Sequence, residues 1–170
     1  MKLSEFPLEK QLHTVHDWIK SADQKISVAF ALINGVLVAI SIPLAKLIFA
    51  NLSLLSHPPL FILLAEFVTL YIMSEIFVLR ALIPKVSSDY SKNSLLFFGS
   101  VASLKPTEYR KKIEKLSKKQ LEDDFVSQIT TSSEIALKKH VRLTASLVTF
   151  SLSILFMSVF LVILLTQIYS

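Results

Sequence analysis

The stretch LTASLVTFSLSILFMSVFLVILLTQI, residues 143–168, contains 26 consecutive residues, none of which is Asp, Glu, Lys or Arg. A helix of this length extends about 39 Å at 1.5 Å per residue, and the hydrocarbon core of a bilayer is about 30 Å thick. Because charged side chains are costly at that depth, a long run without them is typical of a membrane span. The stretch therefore predicts a transmembrane helix.

Two further runs without formal charge lie upstream, at residues 26–45 and 47–65. They predict spans at residues 26–48 and 59–83, joined by a short external turn at residues 49–58. Of the 170 residues, 52% are hydrophobic and 18% are charged, whereas soluble domains carry about 25% charged residues. The predicted fold is an all-α membrane protein with three transmembrane helices and a small helical cytoplasmic module.

The basic residues are divided unevenly between the loops. Residues 84–142 hold 12 of the 18 Lys and Arg residues, and the short turn holds none. The positive-inside rule therefore predicts that residues 1–25 and 84–142 are cytoplasmic and that the C-terminus is external. Since residues 1–25 carry charges of both signs and apolar residues at helical spacing, we expect a retained amphipathic helix there and not a cleaved signal peptide.

The composition excludes several kinds of chemistry. The absence of cysteine excludes disulfides, thiolate metal sites and cysteine nucleophiles. Gly35 and Gly99 are the only glycines, so the sequence has no glycine-rich phosphate loop. It also has no acid–base pair or nucleophile pattern, and we do not expect an enzyme. The net charge of +5 is attributed to positions beside the spans and not to DNA or RNA binding.

Local signals predict where the later helices begin. Pro106 favours a helix that starts after Thr107, and Ser117 and Gln120 have the spacing of a capping box. No Gly or Pro follows Pro106, so the helix that begins at the capping box is expected to continue into the last span. Long unbroken helices would then cross the cytoplasmic membrane surface at both ends of the chain.

Two acids and two histidines stand out on the predicted helices. Glu66 and Glu75 lie inside the second span, where an ionisable group usually faces a partner or a water-filled path. Glu75 has an alternative, because with Arg80 it could lie near the cytoplasmic headgroups. His13 and His16 share one helical face, but no other histidine cluster completes a ligand set. We interpret that face as solvated and expect no metal.

Two basic segments flank the predicted membrane surface. They are YRKKIEKLSKK, residues 109–119, and KKHVR, residues 138–142. The first is interpreted as a solvated helix face close to anionic lipid. The second has the position of a positive-inside anchor, and it would also suit a phosphate group.

Several short motifs follow one another along nearly the whole chain. They comprise Ala22, Asp23 and Lys25; Pro84; Leu96, Phe97, Phe98 and Gly99; Glu108 and Tyr109; and Asp124, Gln128, Ile135, Lys139 and Leu143. In this order and spacing, the motifs resemble the transmembrane effectors of Pycsar antiphage systems.

The resemblance implies a specific function. A partner pyrimidine cyclase would make cyclic CMP or cyclic UMP during infection, and residues 84–142 would sense it. The effector would then disrupt the bacterial inner membrane, causing growth arrest or abortive infection. No cofactor is implied. A homo-oligomer is expected, because one subunit of three helices encloses no useful pore.

Residue chemistry supplies candidates for the ligand site. They are Lys92, Arg110, Lys139 and Arg142 for the phosphate; Phe97, Phe98 and Tyr109 for the base face; and Asn93, Gln128 and Ser132 for the base edge. Candidates for gating or assembly are Asp23, Lys25, Glu66 and Glu75. Because Asp23 and Lys25 are two residues apart on a helix, their side chains point in different directions and contact different neighbours. We expect Asp23 to pair with a base such as Lys139 or Arg142.

Two other functions remain open from the sequence. A constitutive membrane adaptor would dock a protein partner through its cytoplasmic helices and bind no nucleotide. A small ion channel or transporter would use Glu66 and Glu75, and would conduct without a ligand.

Overall fold

The computed structural model describes residues 7–51, 57–83 and 94–169. Every regular element in these residues is a helix. The helices are α1 (Leu8–Ala50), α2 (Pro58–Leu82), α3 (Phe98–Ala102), α4 (Pro106–Glu114) and α5 (Lys118–Tyr169). Three of them, α1, α2 and α5, are long and apolar enough to span a membrane. The predicted all-α fold with three transmembrane helices is confirmed.

The chain forms two compact units. The polar unit comprises Met1–Asp23 and Pro84–Lys139, and the membrane unit comprises Gln24–Ile83 and His140–Ser170. The 43-residue α1 and the 52-residue α5 are each continuous and contribute residues to both units. The expectation that the last helix continues into the third span is therefore confirmed.

Both predicted helices of the polar unit are present; α4 begins at Pro106, two residues before the predicted start after Thr107, and α5 begins directly after its predicted cap at Ser117. Pro106 occupies the first turn of α4, where its missing N–H costs no hydrogen bond. At the start of α5, the backbone N–H of Ser117 donates to Oε1 of Gln120 at 2.9 Å, and the backbone N–H of Gln120 donates to Oγ of Ser117 at 3.3 Å. These reciprocal bonds form the predicted capping box.

Apolar side chains of α2 and α5 form the core of the membrane unit. The fully or almost fully buried members are Leu60, Phe67, Met157, Phe160 and Leu164, and partly buried residues of α1 pack against them. The opposite faces of the helices are apolar and exposed. Within a bilayer, lipid covers such faces, so close packing and interhelical hydrogen bonds hold the helices together.

A reciprocal serine contact fixes α2 against α5. Oγ of Ser74 donates to the carbonyl oxygen of Ser146 at 2.9 Å, and Oγ of Ser146 donates to the carbonyl oxygen of Ser74 at 3.0 Å. Both residues are fully buried. Their small side chains allow the two backbones to approach closely, as is common between membrane helices.

Candidate functional site

A hydrogen-bonded turn at residues 94–97 lies in the polar unit, just before α3. Oγ of Ser94 accepts the backbone N–H groups of Leu96 at 3.1 Å and Phe97 at 3.0 Å. Ser94 and Leu95 are buried. The serine therefore closes the turn with its own side chain, which is a common local use of a hydroxyl group.

Side chains from α4 and α5 hold this turn in place. Asp124 accepts the backbone N–H of Leu95 through Oδ2 at 2.9 Å, and Nε2 of Gln128 donates to Oγ of Ser94 at 3.1 Å. From α4, the Tyr109 hydroxyl donates to the carbonyl oxygen of Leu95 at 3.3 Å. Three helical positions distant in sequence thus converge on two residues of one turn.

A groove of about 530 Å³ opens beside the turn. Its lining consists of Ser94, Leu95, Lys112, Lys115, Leu116, Gln120 and Asp124. The volume lies within the range of about 300–1,000 Å³ that small-molecule sites occupy. The two lysines provide positive charge, the aspartate provides a negatively charged carboxylate, and the glutamine provides a neutral amide. Ammonium groups placed in this way can form charge-assisted hydrogen bonds with an anion.

A second arrangement in the polar unit joins α1 to α5. The carboxylate Oδ1 of Asp23 accepts a hydrogen bond from Nζ of Lys139. The lysine side chain is only 10% exposed, and that of the aspartate is 46% exposed. The expected pairing of Asp23 with a basic residue is therefore present, and Lys139 is the partner.

The membrane unit contains a polar contact between α1 and α2. Oε1 of Glu75 accepts Nδ2 of Asn34 at 3.2 Å and the Tyr71 hydroxyl at 3.0 Å. Glu75 is half-buried between the helices. Glu66, in contrast, is exposed on α2, so the two acids of the second span have different surroundings.

The histidines of α1 do not assemble a metal site in the described part of the chain. Nδ1 of His13 lies 3.2 Å from Oδ2 of Asp17, one helical turn away, and both side chains are exposed. Across residues 7–51, 57–83 and 94–169, no group of three or more potential ligands gathers.

A family model described as the Pycsar effector protein domain matches residues 7–166. This match covers nearly the whole chain. The chain belongs to the Pycsar effector family. No curated protein and no solved structure matches it significantly.

Family membership confirms the resemblance and gives the coarse function. The protein is a Pycsar effector of antiphage defence with transmembrane helices. The family implies a cyclic pyrimidine signal and association with a membrane, and it fits a non-enzymatic role.

The Pycsar effector brings together only part of the ligand set predicted from the sequence. Phe97, Tyr109 and Gln128 meet at the turn, where Tyr109 and Gln128 already hydrogen-bond its backbone and Ser94. Ser132 is buried one turn further along α5. Lys92, Asn93 and the side chain of Phe98 lie outside the described residues.

The basic candidates are distributed over both units. Arg110 is exposed on α4, and Lys139 forms the ion pair with Asp23. Arg142 belongs to the membrane unit, where its Nη1 donates to the carbonyl oxygen of Arg80 at 2.6 Å. Lys25 is exposed on α1. Binding roles for these residues stay predictions.

Four residues that line the groove were not among the ligand candidates predicted from the sequence. They are Lys112, Lys115, Gln120 and Asp124. The two lysines belong to the basic run 109–119 that was interpreted as a solvated face. Lys112 lies in the last turn of α4 and Lys115 is its C-cap residue. Both are exposed, as the interpretation of a solvated face predicts, and no signal in the run indicates a groove beside them.

Proposed function

We propose that this Pycsar effector binds cyclic CMP or cyclic UMP on the cytoplasmic side of the bacterial inner membrane and then disrupts that membrane. Growth arrest or death of the infected cell would follow. The observation that carries the proposal is the family match over residues 7–166. A pyrimidine cyclase that senses phage is the functional partner in this proposal.

The groove in the polar unit is the binding site in this proposal. Lys112 and Lys115 neutralise the cyclic phosphate, since a phosphodiester carries one negative charge that ammonium groups can pair with. Both lysines line the same groove as the turn residues Ser94 and Leu95. This placement gives the ligand a direct contact with the segment that α4 and α5 already hold.

Polar groups on α5 recognise the base. Asp124 keeps one carboxylate oxygen on the backbone of Leu95 and offers the other to a donor on the pyrimidine ring. Cytosine presents its N4 amine, and uracil presents N3–H, as donors of this kind. Oε1 of Gln120 is bonded to Ser117, so its amide nitrogen is the group directed to a ring carbonyl.

Ligand binding is coupled to the membrane through α1 and α5 in this mechanism. Each is one continuous helix with residues in both units. A ligand that favours one arrangement of the polar unit therefore shifts the population of helix arrangements in the membrane. The Asp23–Lys139 pair joins the two helices. Its position would change when the ligand changes the arrangement of helices in the polar unit.

The topology of the proposed effector follows the distribution of charge. Residues 84–142 and the N-terminus are cytoplasmic, and the C-terminus is external, because most Lys and Arg residues lie in the former segments. The active form is a homo-oligomer, since three helices of one subunit pack on one another through a filled core. A passage or defect in the bilayer must then form between subunits.

Isothermal titration of the purified full chain in detergent tests the ligand. We expect heat of binding with cyclic CMP or cyclic UMP and none with a cyclic dinucleotide at the same concentration. A folded sample that binds neither cyclic pyrimidine would refute the proposed signal. Binding of the cyclic dinucleotide alone would assign the protein to a different signalling class.

A further inference from the structure

Glu66 is an exposed acid at membrane depth. It is the ninth residue of α2, counted from Pro58, and therefore lies about 12 Å along a helix that is long enough to span. Its side chain is exposed in the membrane unit, and no hydrogen bond or ion pair to it is present among the described residues. An acid at the centre of a helix costs about 2.5–3.5 kcal/mol to insert, so this position calls for a partner from outside the subunit.

The contacts of α2 define where Glu66 points. Glu75 faces α1, because it accepts a hydrogen bond from Asn34, and Ser74 faces α5. At about 100° per residue, Glu66 lies about 180° from Glu75 and about 80° from Ser74 around the helix. Glu66 therefore lies on the side of α2 that is turned away from α1.

Lys46 is the opposite charge at a similar depth in the same unit. It is exposed on α1, whereas Leu44 and Ile48, each two residues away and about 160° around the helix, pack against the core formed by α2 and α5. Lys46 lies four residues before the end of α1, and Glu66 lies eight residues after the start of α2. The difference in depth is about 6 Å, or one helical turn, which the flexible four-carbon stem of a lysine covers.

The two charges therefore face away from each other within one subunit. An ion pair between them inside the same chain is not favoured, but the same geometry suits two neighbouring copies. We propose that Glu66 of one subunit pairs with Lys46 of a second copy, and that the contact repeats head to tail around a closed assembly. Different patches of the two subunits meet in such a contact, which is the kind that generates rings.

This inference rests on the proposed function in one respect, which is that subunits must assemble before the membrane is damaged. The pairing satisfies both intramembrane charges at once and excludes lipid from them. It also indicates where a passage or defect in the bilayer would form, which is beside the contacts that the outer faces of α1 and α2 make between subunits. Nucleotide binding and the ion pair are separate properties, and they are measured separately.

The absence of cysteine in the chain allows a direct test by cross-linking in native membranes. Two copies are co-expressed with tags of different size, one carrying K46C and the other E66C, and a short bismaleimide is added with and without cyclic CMP and cyclic UMP. We expect a K46C–E66C product in at least one of these conditions. E66C expressed alone should give several-fold less dimer, because like residues do not meet in a head-to-tail contact.

The matched control is I72C paired with K46C. Ile72 is also exposed on α2 but lies about 120° around the helix from Glu66, so little product is expected. Abundant E66C self-linkage, equal linkage of I72C, or no linkage of K46C with E66C in any condition would overturn the proposed contact. Nucleotide binding measured by titration on the same membranes separates this failure from a failure of the signal itself.

Charge reversal provides a second, independent measurement. E66K and K46E should each reduce the oligomer seen on native gels, because each places like charges together within the membrane. The double variant E66K/K46E restores the pair with reversed polarity and should recover the oligomer. A double variant that assembles no better than the single variants would contradict the pairing.

Discussion

Asp23 on α1 and Lys139 on α5 form an ion pair in the polar unit, at the boundary where both helices continue into the membrane unit. The lysine is almost fully buried and the aspartate is half-exposed. Burying an ammonium group is favourable only when a partner compensates its charge. The pair therefore fixes the spacing of the two long helices at the last residues of the polar unit.

Replacing Asp23 with alanine should reduce the stability of the protein and its response to nucleotide more than it reduces membrane insertion. D23A leaves Lys139 buried without its ionic partner, and we expect a loss of about 1–3 kcal/mol in the stability of the purified protein. Membrane insertion should be unchanged, because it depends on the apolar spans. Thermal unfolding in detergent, together with the amount of protein in the membrane fraction, measures both effects.

The exposed pair Glu134–Lys138 provides the control for that experiment. Its atoms lie 3.2 Å apart on one face of α5, and both side chains are more than half exposed. E134A should change stability by about 0.5 kcal/mol or less, since exposed pairs contribute little. If D23A and E134A have equal effects on stability and on the response to nucleotide, Asp23 only marks the helix border.

The groove lysines should determine the affinity for nucleotide. K112A/K115A removes two positive charges beside the turn and should weaken binding of the cyclic pyrimidine by about 10-fold or more, as expected for the loss of charge-assisted hydrogen bonds of about 1.5–3 kcal/mol. Lys111 is exposed on the same helix but does not line the groove, so K111A is the matched control. Equal losses of nucleotide affinity for K112A/K115A and K111A in titration would place the phosphate elsewhere.

A variant at Tyr109 can distinguish two roles of this residue, which are holding the turn through its hydroxyl group and stacking on the base through its ring. Y109F removes the hydroxyl that donates to Leu95 and keeps the aromatic ring. We expect stability to fall by about 0.5–1.5 kcal/mol, with a smaller effect on nucleotide affinity than that of K112A/K115A. Unfolding and titration of the same sample measure these quantities. Unchanged stability would show that the hydrogen bond contributes nothing to the turn.

The serine contact in the membrane unit should be sensitive to volume. Ser74 and Ser146 are fully buried and bond to each other's backbone. S74A removes one hydroxyl and should cost about 0.6 kcal/mol, the mean for interhelical bonds in membranes. S74L must separate the helices and should cost more, about 1–3 kcal/mol. Unfolding in detergent that ranks S74L above S74A in stability would contradict close packing at this position.

Much of the fold could be predicted because its determinants are local. The spans follow from runs without charge, and the start of α5 follows from Ser117 and Gln120, which are three residues apart. The absence of Gly and Pro after residue 106 explains why α5 continues without a break. Such signals act within one or two helical turns, so the sequence displays them directly.

The arrangement around the turn could not be predicted in the same way. Tyr109 reaches Leu95 over 14 residues, and Gln128 reaches Ser94 over 34 residues. No periodicity links these positions, because the chain reverses direction between them. The contacts of Tyr109 and Gln128 with the turn were therefore not predicted, and neither was a groove beside the exposed Lys112 and Lys115.

Dye release from vesicles measures membrane disruption by the protein in the presence of each nucleotide. The full chain is reconstituted into vesicles of bacterial lipid that contain a quenched dye, and cyclic CMP, cyclic UMP or a cyclic dinucleotide is added on the side of the polar unit. We expect release with at least one cyclic pyrimidine and none with the dinucleotide or with buffer. No release with either cyclic pyrimidine, or equal release without any nucleotide, would contradict it.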